Sequence, residues 1–98
     1  MDWIVFDKDT VKFEIPPTQS ITYQQLPDAI QKTYKYFSEN KFDVIKIYGR
    51  APIWLYTAIV HTVAHLAKAV AVYDAINGEY VVVVSHHPVY QIGQTLKQ

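Results

Sequence analysis

The stretch Phe42-Asp43-Val44-Ile45-Lys46-Ile47-Tyr48-Gly49-Arg50-Ala51-Pro52-Ile53-Trp54-Leu55 decides the fold. Residues 42–48 are β-branched and aromatic and run into a glycine, which reads as a strand. Gly49-Arg50-Ala51-Pro52 then turns into a helix expected over 53–68, with Pro52 near its first position, where a missing N–H costs nothing. Beyond it, 69–73 is a short apolar strand, Asn77-Gly78 is a turn dipeptide, and 80–84 is a further strand, so the last two strands form a hairpin. A strand, helix, strand crossover in one sheet is right-handed, which makes the two strands flanking this helix parallel.

Working upstream, 3–6 and 11–15 read as two strands joined across the polar break Asp7-Lys8-Asp9-Thr10, and Pro16-Pro17 ends the second. From about Pro27, the residues Leu26, Ile30, Tyr34 and Phe37 recur at helical spacing, and Asn40 is a left-handed stop. Downstream, Ser85-His86-His87-Pro88 closes the last apolar strand, and the polar tail 91–98 is expected to fray. The fold class is α/β: a single domain over 1–98, with a mixed sheet covered by two helices.

Composition narrows the function classes. The 98 residues make one core, with no repeat, low-complexity segment or charge run. Lys plus Arg equals Asp plus Glu at nine each, so any nucleic-acid contact is local rather than spread over a basic surface. The absence of cysteine excludes disulfides and thiolate metal sites and fits a reducing compartment. No basic leader and no membrane-length apolar run is seen, so a soluble, cytoplasmic protein without a membrane partner is expected. Eight Tyr, four Phe and two Trp exceed what so small a core buries, which points equally to self-association and to a Tyr-rich core edge.

Three places carry possible chemistry. Gly49-Arg50-Ala51-Pro52 lies where a strand feeds a helix N-terminus, a position suited to anions, with glycine permitting close approach and Arg50 able to clamp a phosphate. A purely structural glycine turn explains the same residues. His61 and His65, four apart, share a stripe with Trp54 and Ala58 away from the core stripe of Leu55, Ile59, Val63 and Leu66. The metalloprotease motif needs a Glu after the first His, and Thr62 stands there. Asp74 closes a strand, placed either to hold a divalent ion or a ribose hydroxyl or simply to form the turn before Gly78. Ser85 and His86 follow the last strand, where they either bind phosphate or cap the sheet.

Taken in order, Gly49-Arg50-Ala51-Pro52-Ile53-Trp54-Leu55-Tyr56, His61, His65, Val70-Ala71-Val72-Tyr73-Asp74 and Val81-Val82-Val83-Val84-Ser85-His86 resemble the small CRISPR-associated ring nuclease 3 family. The resemblance implies a fold related to the CRISPR-associated Rossmann superfamily. It also implies a manganese-dependent phosphodiesterase that opens cyclic tetra-adenylate, or trims short adenylate RNA, and so ends type III CRISPR signalling. By position, His65 and Asp74 are the essential pair with His61 as helper, Asp74 is the metal ligand for Mn2+, and Gly49, Arg50, Pro52, Ser85 and His86 lie on the ligand-binding surface. The family commonly follows its Asp with Pro-Arg, whereas Asp74 here precedes Ala75-Ile76. An expected helix of about 16 Å between Trp54 and His65 would separate His65 from Asp74 and Gly49. The family's arrangement, a homodimer and a tetramer sandwiching the ligand, supplies both to one phosphate. A non-hydrolytic sensor or sponge for the same ligand, and an α/β interaction module, are the other classes compatible with these residues.

Overall fold

A computed structural model describes residues 1–97. Six strands form one sheet in sequence order: β1 (Ile4–Asp7), β2 (Thr10–Glu14), β3 (Val44–Arg50), β4 (Ala69–Asp74), β5 (Glu79–Ser85) and β6 (Thr95–Leu96). The β2, β3 and β4 strands are parallel, while the pairs β1/β2, β4/β5 and β5/β6 are antiparallel. The mixed α/β sheet, its parallel third and fourth strands and its β4/β5 hairpin match the sequence expectation.

Because the parallel strands follow one another without a reversal of order, both crossover helices fall on the same face. These are α1 (Leu26–Glu39) and α2 (Ile53–Val63), which share one core with Val11, Phe13, Ile45, Ile47 and Val70. Among the described residues, no helix covers the opposite face. Ala69, Ala71, Tyr80 and Val82 are buried there, partly beneath Tyr90 and Leu96 of the C-terminal segment.

Four local expectations are corrected. The buried stripe of α1 is Ala29, Thr33 and Phe37, whereas Tyr34 is exposed: small residues let the helix lie close to the sheet, and Thr33 satisfies its hydroxyl on the Ala29 carbonyl at 2.8 Å. Asn40 stops α1 in an extended rather than left-handed conformation, with its Nδ2 and backbone N–H both donating to the Tyr36 carbonyl. The second helix ends at Val63, five residues short of 68, because the chain must drop back for the N–H groups of Lys68 and Ala69 to reach the Asp43 carbonyl and start β4 beside β3. Finally, Thr95 and Leu96 of the supposedly frayed tail pair with Val81 and Tyr80 as β6.

Candidate functional site

The residues singled out from the sequence divide between two opposite edges of the sheet. At the carboxyl edge of the parallel strands lie Gly49, Arg50, Pro52 and Asp74. At the other edge lie His61 and His65, before β4 begins, with Ser85 at the end of β5 and His86 just after it. The six residues of β4 alone span about 17 Å at roughly 3.3 Å per residue. Ser85 and His86 therefore do not share a surface with Gly49, Arg50 and Pro52 within one chain.

The carboxyl edge is built around Gly49, which is not in a turn as expected but inside β3, paired with Phe13 of β2. Its φ is +117°, and a Cβ there would overlap the Phe13 carbonyl oxygen and lie 2.8 Å from the Phe13 nitrogen. The close approach that requires glycine is thus to β2 itself. The Tyr56 hydroxyl donates to the Gly49 carbonyl, tying α2 to the end of β3. Burial, reinforced by the nearby Tyr80 and Tyr48 hydroxyls, pushes Tyr56 up to about 12, so it remains a proton donor. Sequence reading missed Tyr56; its place one turn into the helix after Gly49 was the available signal.

Arg50, the sole arginine of the chain, follows Gly49 and is exposed. The three lysine ion pairs, Lys12–Asp7, Lys46–Asp9 and Lys68–Asp43, leave it out, and its guanidinium makes no hydrogen bond to any described residue. It lines a groove of about 360 Å³ between the loop 15–21, which follows β2, and Ala51-Pro52, which precedes α2. Pro52 is the cap residue of α2 and no side chain caps that helix start. An uncapped helix start and a free guanidinium both favour an anion.

Asp74 occupies the end of β4. Its carboxylate accepts hydrogen bonds from the Asn77 Nδ2 at 2.8 Å and from the Ile76 N–H at 3.0 Å, with the Asn77 N–H at 3.5 Å. The Asn77 amide, then the Ile76 N–H, hold its carboxyl below the usual carboxylate range against a small opposing desolvation. Asp74 is therefore a turn former and an anion at neutral pH, with lone-pair capacity left for a cation and none of the character of a general acid. Glu79 is its register partner across the hairpin. Among the described residues no three His, Asp or Glu side chains converge as a metal site. Asp74 offers one carboxylate, and an ion held there would take its remaining ligands from outside such a cluster.

At the opposite edge, the early end of α2 takes His65 off the helix and onto His86. The two exposed rings stack with centroids 4.7 Å apart and planes at 24°. The His86 N–H donates to the Lys68 carbonyl at 2.8 Å, which fixes the strand end beneath the pair. His61 stays in the last turn of α2, where a cation is favourable, and its expected helical partnership with His65 is lost with the helix. Ser85 is occupied: its hydroxyl lies 2.6 Å from the Tyr90 carbonyl and 3.0 Å from that of His87, whose N–H approaches it in return at 3.4 Å. It organises the turn that carries His86.

The family model described as "CRISPR-associated protein (Cas_csx3)" matches residues 15–97. The chain belongs to this Cas_csx3 family. An uncharacterized protein of Aquifex aeolicus (strain VF5) is 38% identical over 71 residues, which is 72% of this chain and 58% of that relative. The chain thus aligns with less than two thirds of the relative's length. The Cas_csx3 match contains β3 to β6 and both helices, and hence Gly49, Arg50, Pro52, His61, His65, Asp74, Ser85 and His86; β1 and β2, with Phe13, precede it.

Proposed function

We propose that this Cas_csx3 protein is a ring nuclease that binds cyclic tetra-adenylate and opens one of its phosphodiester bonds. The observation that carries the reading is the division of the chemistry: an anion-binding edge with Arg50 and Asp74, and an edge with two stacked imidazoles, on opposite ends of one sheet. Ligand held between protomers meets the first edge of one and the second of another, so a homodimer, and a tetramer around the ligand, completes what one chain lacks.

The ribose 2′-hydroxyl beside each phosphate is the internal nucleophile. His65 takes its proton, the new O2′–P bond forms as the P–O5′ bond breaks, and the departing 5′ oxygen receives a proton from a second acid, for which His86 stands nearest. The products are a 2′,3′-cyclic phosphate end and a 5′-hydroxyl end. Imidazole suits both proton transfers near neutrality. His61 stays a helper at the same edge. Arg50 neutralises phosphate charge, and Asp74, an anion, is the proposed ligand of Mn2+.

The test is incubation with cyclic tetra-adenylate, followed by chromatography and mass measurement, with Mn2+ and with a chelator as separate arms. Linear tetra-adenylate is expected. An intact ring that is also unbound would remove the reading. Arg50→Ala is expected to weaken binding about tenfold or more, as loss of a charge-assisted contact does, while the melting temperature is unchanged because the Arg50 side chain is exposed and makes no ion pair with a described residue. Unchanged affinity at physiological salt contradicts this assignment.

A non-hydrolytic sensor or sponge is the second reading, favoured by one residue. Ile76, 93% exposed, stands where the resembling family carries an Arg able to stabilise charge at phosphorus. Ile76→Arg is expected to raise the cleavage rate about tenfold or more with little change in binding, as removing or adding one such donor changes barriers. A rate unaltered by this change leaves the missing guanidinium irrelevant.

A further inference from the structure

We infer that Asn77-Gly78 is a site of spontaneous covalent modification, deamidation of the Asn77 side chain, and that the Asp74 carboxylate controls its rate. The reaction needs only water, and so is independent of the ligand proposed above. Residues 75–78 form the turn between β4 and β5 and are all exposed. Gly78 has φ +69°, and a Cβ placed on it would meet only the Tyr73 hydroxyl, at 3.9 Å. Its nitrogen is therefore reached with no β-carbon in the way. Asp74 holds both reacting groups: its backbone carbonyl accepts from the Gly78 N–H at 2.8 Å, and its carboxylate accepts from the Asn77 Nδ2 at 2.8 Å. The chain's other asparagine, Asn40, is also exposed and donates its amide to the Tyr36 carbonyl at 2.9 Å, but Lys41 follows it. It is an internal control.

When the turn opens, the Gly78 nitrogen gives its proton to solvent and attacks the side-chain carbonyl carbon of Asn77. The N–Cγ bond forms, the Cγ–Nδ2 bond breaks, and the amide nitrogen leaves as ammonia with a proton from solvent. Water then opens the cyclic imide at either carbonyl and leaves aspartate or isoaspartate at position 77, the latter with the backbone routed through the former side chain. No oxidant or reductant takes part. An exposed turn without core contacts opens at low cost, so the folded chain reacts. The two hydrogen bonds to Asp74 oppose each opening, and they act separately: removing the carboxylate frees the Asn77 amide to swing toward the Gly78 nitrogen while the backbone bond stays. In the product, the donor to Asp74 is replaced by a negative charge, set beside Asp74 and its register partner Glu79.

The experiment keeps the full chain, folded, at mildly alkaline pH for weeks and follows both asparagines by peptide mass spectrometry, with fragmentation to locate the change. A gain of about 1 Da is expected at Asn77 and not at Asn40. Asp74→Ala is expected to speed the reaction about tenfold or more, while Asp74→Asn, whose side-chain oxygen still accepts from the Asn77 amide, stays within about threefold of wild type. Gly78→Ala, which sets a methyl group beside the nucleophile, is expected to slow it about tenfold or more. Melting temperatures taken first show that each variant is folded during the incubation. An Asn77 that stays as intact as Asn40 in the wild type, a comparison that needs no variant, overturns the modification site. An Asp74→Ala chain no faster than wild type, or an Asp74→Asn chain about tenfold faster than wild type, overturns control by the carboxylate.

Discussion

Equal amounts of His65→Ala and Asp74→Ala, each inactive alone, are expected to regain cleavage of cyclic tetra-adenylate when mixed. Each substitution removes a group from an opposite edge of the sheet, and β4 holds those edges about 17 Å apart. Loss of the His65 imidazole should cost about a hundredfold or more in rate, the usual scale for a positioned acid or base. If one phosphate draws its imidazole from one protomer and its carboxylate from another, random pairing puts both wild-type residues in about a quarter of the composite sites. Recovery to that fraction of the wild-type rate is the expected result. Labelled protein first establishes that subunits exchange. With exchange seen, wild type active and the mixture still dead, both residues act within one chain, and the two-edge division is not the basis of the chemistry.

That division is firmer than the sequence allowed, for an unexpected reason. The sequence separated His65 from Asp74 by counting helical rise over 53–68. The helix stops at Val63, and the separation comes instead from β4 itself. No glycine or proline marks Val63 as a stop; the end is imposed by the register of β4 against β3, a long-range constraint that no local window contains. The same early end removes the pairing of His61 with His65 that four-residue spacing predicted, and puts His65 on His86, twenty-one positions along the chain. Elements with strong local punctuation were legible: Pro16-Pro17 after β2, Asn77-Gly78 between β4 and β5, and Pro52 before α2. The two-residue β6 was not, since Thr95 and Leu96 have meaning only beside Val81 and Tyr80. Nor was the groove wall at 15–21, whose polar residues read as an ordinary loop until Arg50 stood opposite them.

Gly49→Ala is expected to be the most damaging single substitution for the fold, lowering stability by about 4 kcal/mol or more and the melting temperature by at least about 15 °C. Two effects add. An L residue at φ +117° is strained whatever the space, and its methyl would overlap the Phe13 carbonyl oxygen in a strand that is hydrogen-bonded on that side. Neither neighbour has room to move: Phe13 is 4% exposed, wedged between the Trp3 and Tyr56 rings, and Tyr56 holds the Gly49 carbonyl from the helix side. Tyr56→Phe, which removes only that hydrogen bond, should cost about 1 kcal/mol. Thermal melts of the two variants decide the matter: an alanine variant within a few degrees of wild type means that β2 and β3 part at this point without penalty. The comparison also separates two roles for Gly49. The resemblance places it on the ligand surface, yet its geometry is spent on β2, and Arg50 is its neighbour in the chain. Loss of ligand binding in Gly49→Ala would then follow from a displaced Arg50, and would be matched by Arg50→Ala in affinity but not in melting temperature.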